Sequence, residues 1–517
     1  MERGSGVLLH ISSLPSPYGI GTLGRSAYEF VDFLKRSKQK YWQILPLSPT
    51  GYGDSPYQSY SAYAGNPYFI DLDMLSENGN LDPKEYQNID WGNDKEYVDY
   101  GKLFENRFKV LKNAYRADIN HIREDLNDFR RRESYWIENY AMFMALKYEN
   151  DLKPYLKWDK ALKMREPDAM TEAYNRNYEE IEFWVYTQYR FFEQWNKLKT
   201  YANKNGIKII GDIPIYVAED SADAWAHNEI LQLDENRIPI NVAGCPPDYF
   251  SPKGQLWGNP VYRWDFLKGT GYKWWIERIT AMLKMYDIVR IDHFRAFSDY
   301  FSIPFGSKDA TTGRWIEGPG KDFFDALKSE LSKNTDLDLN KSSLSTDINT
   351  GLNDSELPII AEDLGLIDQN VRDLLEYTGF PGMKVLQFAF SPDGSSDYLP
   401  HKYNKNCVAY IGTHDNSTLM GWFSECDKDE AEFAKRYMRL ANLPDTEICK
   451  GAIKTLMASV ADVSIVTMQD ILSVDNRGRM NVPSSDQGNW RWRLTLNWVF
   501  FDETADWLKE ITETYGR

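Results

Sequence analysis

Eight short apolar, β-branched runs recur along the 517-residue chain, and they restrict its fold more than any other feature. They are GVLLHI (6–11), YWQILPL (41–47), IKIIGDIPIY (207–216), DIVRIDHF (287–294), PIIAEDL (358–364), KVLQFAF (384–390), CVAYIGT (407–413) and SIVTMQDIL (464–472). Near-continuous apolarity over such short runs fits strands covered on both faces, as in a parallel sheet. Helical patterns lie between several of them. SAYEFVDFLKRS, from Ser26, puts Phe30, Phe33 and Leu34 on one face, and GYKWWIERITAMLKMY (271–286) leads into the fourth run. DQNVRDLLEYTG follows the fifth, and TEICKGAIKTLMASVADV precedes the eighth. The link between the sixth and seventh runs has no long helical pattern. Eight strands alternating with helices predict an α/β fold, a (β/α)8 TIM barrel.

A barrel of this kind takes about 250 residues, so roughly as many again must lie in insertions. Residues 48–206 form the largest gap, and their later part carries two aromatic-rich helical patterns, YWIENYAMFMALKYENDLKPYLKWDKALKM and YEEIEFWVYTQYRFFEQWNKLKTYANKNG. A helical subdomain is expected there. Residues 217–270, with CPPDYFSPKGQLWGNP, read as a loop-rich active-site region, and the polar stretch 331–356 as a surface excursion. DETADWLKEITETYG is an amphipathic helix with nothing after it to form a C-terminal β-domain. The expectation is one catalytic barrel domain over 1–517, interrupted by these insertions.

Composition narrows the function classes. The chain is 42% hydrophobic and 26% charged, the balance of a globular protein with a sizeable core. A formal net charge of -17 argues against nucleic acid or an acidic membrane surface as partner. The four cysteines (Cys245, Cys407, Cys426, Cys449) form no CxxC pair and no dense framework, which reads as reduced thiols in a cytoplasmic protein. MERGSGVLLHISSLP lacks the basic start and long apolar core of a secretory signal, and no run is apolar enough to span a bilayer.

The stretch YDIVRIDHFRAF (286–297) poses the chemical question. Charges that close an apolar strand cost free energy unless they are paired or used. Arg290 and Asp292 share one face of an extended chain, as a structural ion pair or as a carboxylate held ready for reaction. In a barrel, functional groups gather at the C-terminal ends of the strands. Asp212, Asp292, Glu362 and Asp415 all fall at such ends. Acids crowded at one mouth have their pKa values pushed apart, which separates acid from base roles. The alternative is solvated strand ends and helix caps, a role open to Asp363 beside Glu362. Glycoside cleavage needs two carboxyl groups, one ionised as nucleophile or base and one protonated as acid. Arg290 favours an ionised Asp292, and the apolar residues before Glu362 favour a protonated acid there. His414, beside Asp415 in GTHDNS, is either part of a turn or a ligand for sugar hydroxyls.

Other motifs carry less. GIGTLG (19–24) satisfies the G-x-G-x-x-G spacing of dinucleotide sites, but that pattern leaves a strand and enters a helix directly, whereas SSLPSPY intervenes here. No HExxH, zinc-spaced Cys/His set, EF-hand loop or GxSxG elbow is present. Neither a metal nor a cofactor is expected.

Taken together, several segments resemble one family over almost the whole chain. They are LLHISSLPSPYGIGTLG, YWQILPLSPTGYGDSPYQSYSAYAGNPYFIDL, GDIPIYVAEDSADAW, PPDYFSPKGQLWGNPVY, VRIDHFR, IIAEDLG and GTHDN. The resemblance is to the 4-alpha-glucanotransferases of the amylomaltase (disproportionating enzyme) type, glycoside hydrolase family 77 of the α-amylase superfamily. The proline- and tyrosine-rich segment is specific to this branch, whereas RxDH, ED and HD are superfamily features. The resemblance implies Asp292 as nucleophile, Glu362 as general acid/base and Asp415 as the carboxylate that stabilises the transition state. It further implies that Arg290 orients Asp292 and that His414 and Tyr57 hold the sugar at the cleavage subsite. Gln255 and Trp257 belong to a loop closing over the glucan, and Asp212 and Asn481 match further substrate-binding positions. The implied substrates are α-1,4-glucans and maltooligosaccharides, as donor and acceptor. GDIPIYV lacks the Asn-His pair that ordinary α-amylases carry after strand three, which turns the expectation from hydrolysis to transfer. A retaining hydrolase and a non-catalytic glucan-binding protein are the alternatives. Tyr52, Tyr60 and Tyr63 offer further aromatic surfaces, some for sugars and some for packing.

Overall fold

The computed structural model describes every residue apart from 52, 248–250, 335–356, 441, 442, 444, 484, 486 and 496–501. Its strands are β1 (Gly4–Leu8), β2 (Tyr41–Gln43), β3 (Lys208–Ile213), β4 (Asn241–Cys245), β5 (Gln255–Pro260), β6 (Ile288–Ile291), β7 (Asp299–Pro304), β8 (Arg314–Glu317), β9 (Ile359–Ala361), β10 (Gly382–Val385), β11 (Cys407–Tyr410) and β12 (Val463–Thr467). Eight of them form one sheet in the order β10-β11-β12-β1-β2-β3-β6-β9, with every pairing parallel. The sheet curls until its edges meet: Ala361 N–H donates to the Pro381 carbonyl at 3.0 Å, joining β9 to the approach of β10. Each predicted apolar run overlaps one of these strands, and the (β/α)8 barrel stands.

Alternation along the strands sorts the side chains. Leu8, Ile210, Ile288, Ile360, Met383, Val408, Tyr410 and Ile465 fill the barrel, while Val7, Trp42, Ile209, Val289, Ile359 and Ala409 face the surrounding helices. Gly211 permits one such contact, because a Cβ there would lie 2.2 Å from the Tyr286 ring. Helix Arg25–Arg36 buries Ala27, Phe30, Val31, Phe33 and Leu34. Helix Gln369–Thr378 starts where Asp368 accepts the Val371 N–H and stops at Gly379, whose φ of 71° only glycine takes up without cost. Asp363 is therefore no helix cap; its Oδ1 accepts the Met383 N–H at 2.6 Å.

The gap between β2 and β3 holds helices Tyr100–Asp118, Arg123–Arg132, Ile137–Glu149, Pro167–Arg176 and the 27-residue Tyr178–Lys204. The last of these ties the insertion to the barrel. Gln188 bonds both the N–H and the carbonyl of Gly65, Gln194 does the same for Asp71, and Trp195 donates to the Met285 carbonyl. These side chains satisfy backbone groups that no strand partner reaches. Tyr63 is core here, stacked at 6.3 Å on Trp136. Tyr60 packs against Phe143 and under the Lys147 ammonium. Tyr52 and most of the 331–356 stretch lie outside the described residues.

The stretch 217–270, read as loops, contributes β4 and β5 to a second, antiparallel sheet of order β5-β4-β7-β8. Its central β4–β7 pairing is non-local, with Asn241 opposite Pro304, and its strands carry glycine and proline, so local pattern does not reveal it. GIGTLG ends at Gly24, the N-cap of helix Arg25–Arg36. A Cβ on Gly24 would lie 1.9 Å from the Asp71 carboxylate, which also accepts from Thr22 at 2.6 Å. The position a phosphate takes in a dinucleotide site is filled by the chain's own acid.

Candidate active site

The C-terminal ends of β3, β6, β9, β11 and β12 bring the expected residues to one mouth. At its floor, Arg290 Nη1 donates to Asp212 Oδ2 at 2.6 Å and to Asp292 Oδ1 at 3.1 Å. Asp212 has no exposed side-chain surface and Arg290 has 4%, whereas Asp292 keeps 28% of its side chain open. The guanidinium is therefore shared. Its shorter bond goes to the wholly buried acid, where an unpaired charge would cost most. Tyr57 donates to the same Asp212 oxygen at 2.8 Å, and burial with the neighbouring acids raises its pKa well above normal. Asp212 Oδ1 has no partner among the described residues.

Glu362 enters from β9. Its Oε2 accepts the His293 N–H at 2.7 Å and its Oε1 the Leu364 N–H at 2.7 Å. The His293 bond depends on a left-handed backbone, φ 50° and ψ 50°, which turns the N–H of the residue after Asp292 toward the second acid. That cross-link fixes the two carboxyl groups relative to each other. Burial raises the pKa of Asp292 well above the ordinary value, with Arg290 opposing and Asp212, Glu362 and Asp415 adding to the rise. Burial raises Glu362 too, against Arg290 and its two N–H donors. Arg290 does pull the Asp292 pKa down, as the strand pattern implied, and burial together with the neighbouring acids outweighs it. The two groups compete for protons as a pair.

The far wall comes from β11 and the segment after β12. The His414 ring stacks on Tyr57, with centroids 5.1 Å apart and planes at 15°, and Trp490 tilts against both. Burial lowers the His414 pKa, with Asp415 opposing, which favours the neutral ring. Asp415, 44% exposed, lies 3.4 Å from His414 Nε2 and accepts from Asn481 Nδ2 at 2.6 Å. Asn481 N–H also bonds the His414 carbonyl at 3.1 Å. Gln255 and Trp257 lie on β5, where Trp257 donates to the Gln255 amide oxygen and meets the His293 ring edge-on at 4.9 Å.

The structure thus joins Tyr57, Asp212, Arg290, Asp292, His414, Asp415 and Asn481 through direct contacts, Glu362 and Trp257 through His293, and Gln255 through Trp257. Three further residues went unassigned in the sequence reading. His293 lines the site, and its Nε2 is buried without a partner; burial, with Arg295 adding, lowers its pKa to about 4. Trp490 is an aromatic wall. Arg295 sits under Trp315 at 3.8 Å and bonds the Leu366 carbonyl, Asp299 and Asp368. It thereby anchors the loop that begins with Glu362. His293 and Arg295 stood in the quoted VRIDHFRAF stretch, but their partners lie about 70 residues away, beyond local pattern.

Comparison with known proteins gives the family of the chain. The family model described as 4-alpha-glucanotransferase matches residues 9–497. A 4-alpha-glucanotransferase of Clostridium butyricum is 46% identical over 511 residues, covering 98% of this chain and all of the relative. One from Thermus thermophilus is 43% identical, covering 96% of this chain and 95% of its own. Among solved structures, the amylomaltase of Streptococcus agalactiae in complex with acarbose is 44% identical, covers 100% of both chains and superposes with a TM-score of 0.93. A barrel mouth with these acids, matched along its length by such relatives, places the chain in the 4-alpha-glucanotransferase family of glycoside hydrolase family 77.

Proposed function

We propose that the mouth transfers segments of α-1,4-glucan between maltooligosaccharides by a retaining double displacement. The observation that carries this reading is the junction of Asp212, Arg290 and Asp292 with Glu362 held by the N–H of the next residue. An Asp292 oxygen attacks the anomeric carbon while the glycosidic bond breaks. The bond's electron pair leaves with the departing oxygen, which takes its proton from Glu362. An acceptor hydroxyl then yields its proton to Glu362 and attacks the same carbon, releasing Asp292 with the α configuration retained. Asp415, positioned by Asn481, stabilises the positive charge that develops on the sugar ring. Asp212 holds the Tyr57 hydroxyl from below, Tyr57 and His414 hold the sugar at the cleavage subsite, and Gln255 and Trp257 cover it.

Transfer requires that an acceptor outcompete water at ~55 M, which a bound hydroxyl of effective molarity roughly 10⁵ M or more can do. The chain acts as one barrel domain with the helical and β4–β5 insertions shaping the cleft. Cys407, Cys426 and Cys449 are free thiols, in line with a reducing cytoplasm, and no helix among the described residues is long and apolar enough to cross a membrane. Incubation with maltotriose alone is expected to yield glucose and a ladder of longer oligomers, with reducing ends nearly constant. A steady rise in reducing ends without longer products would make the protein a hydrolase.

A further inference from the structure

Among the described residues, the helix layer around the barrel is broken once. Between β10 and β11 the chain passes through only two single 3-10 turns, Leu386–Phe388 and Pro400–Lys402. The outer face of β10 opens instead into a cavity of about 590 Å³ between helix Gln369–Thr378 and the 397–406 segment. That volume lies in the range of small-molecule sites, ~300–1,000 Å³. The side chains have changed with the cover. Where helices lie over the barrel, outward strand positions are uncharged: apolar at Val7, Trp42, Ile209, Val289, Ile359 and Ala409, and serine at Ser5 and Ser464. On β10, Met383 and Val385 face the barrel interior, so the outward residue is Lys384, a cation that no helix could bury cheaply. Its ammonium lies 5.1 Å from the Tyr398 ring centre and meets no carboxylate within ion-pair distance among the described residues. Asp363 faces the same cavity, with Oδ1 bound to the Met383 N–H.

We propose that this cavity is a second glucan site, outside the barrel and separate from the catalytic mouth. The choice of ligand rests on the transfer reading above. Lys384 and Arg372 supply donors, Asp363, Glu376 and Asp397 supply acceptors, and Tyr398 supplies an aromatic surface. Vicinal sugar hydroxyls, each both donor and acceptor, suit such an alternation. A phosphate or other small anion would meet three acids against two cations and is disfavoured. Asp363 follows Glu362 in the chain, so an occupied cavity sits directly behind the acid/base loop.

Titration calorimetry with maltotriose tests the proposal, using Asp292→Asn protein to prevent turnover. Adding Lys384→Ala, or Arg372→Trp as a plug that leaves β10 untouched, is expected to lower the stoichiometry by one equivalent. In the otherwise wild-type protein, Arg372→Trp should keep maltotriose transfer within about twofold. Inorganic phosphate should give no saturable heat. Unchanged stoichiometry in both cavity variants, or saturable phosphate binding lost in them, overturns the proposal. Loss of the oligomer ladder in the wild-type protein would instead sink the transfer reading itself.

Discussion

Asp292→Ala is expected to remove essentially all turnover, a loss of roughly 10⁴-fold or more on the scale of nucleophile deletions, while maltotriose binding stays within a few-fold. The substitution is not expected to harm folding. Asp292 is the most open member of the Arg290 cluster, and its removal leaves the 2.6 Å Arg290–Asp212 pair intact. Its pKa is raised in the folded state, so above that raised value ionised Asp292 lowers stability, and removing it relieves that load. Arg290→Ala should behave in the opposite way, because it leaves Asp212 buried without its cation. Kinetics and thermal denaturation of the two variants side by side make the check. Retained turnover in folded Asp292→Ala protein would end the double-displacement account.

Glu362→Gln is expected to separate substrates by leaving group. On maltotriose the departing oxygen needs a proton, and the loss should be roughly 10²–10⁴-fold, the usual worth of a general acid. On maltotriosyl fluoride the leaving group needs none, so the first step should be nearly spared. The pH profile gives a second reading of the same group. Burial raises Glu362, so the wild-type decline toward alkaline pH should lie above the ordinary carboxylate range. The sign follows from role: an acid works while protonated, and activity falls as pH climbs through its raised pKa. In Glu362→Gln assayed on the fluoride, that alkaline limb should disappear. Equal losses on both donors would mean that Glu362 is not the acid.

Much of the fold and the site was legible before the structure because both obey short-range rules. A doubly covered strand reads as an uninterrupted apolar run, and the residues that end such a run mark the barrel mouth. Asp212, Arg290, Asp292, Glu362, Asp415 and His414 became candidates this way, and the resemblance added Tyr57, Gln255, Trp257 and Asn481. What stayed hidden depends on partners far away in sequence. In the β5-β4-β7-β8 sheet the β4–β7 pair that joins its halves is non-local, and Tyr63 takes the packing role of the two open to it because Trp136 lies on it. The charge on Arg290 was credited wholly to Asp292, because a strand pattern cannot show Asp212 arriving from the neighbouring strand at 2.6 Å. Asp363 lost its role as a cap for a similar reason. The helix starts at Asp368, and the Met383 N–H claims the Asp363 carboxylate across the barrel seam.

The central claim is that a glucan segment is carried on Asp292 between donor and acceptor, and trapping that ester tests it most directly. Glu362→Gln protein mixed with maltotriosyl fluoride should form the glycosyl-enzyme readily, since fluoride leaves unaided. It should then lose the sugar slowly, because no base activates the acceptor. Mass spectrometry of the quenched protein is expected to show one added maltotriosyl group, and the proteolytic peptide spanning 287–294 should carry it on Asp292. Addition of maltose should discharge the label into a longer oligosaccharide. Label on Asp212 or Asp415, or product of inverted configuration formed with no ester at any time, would contradict the account.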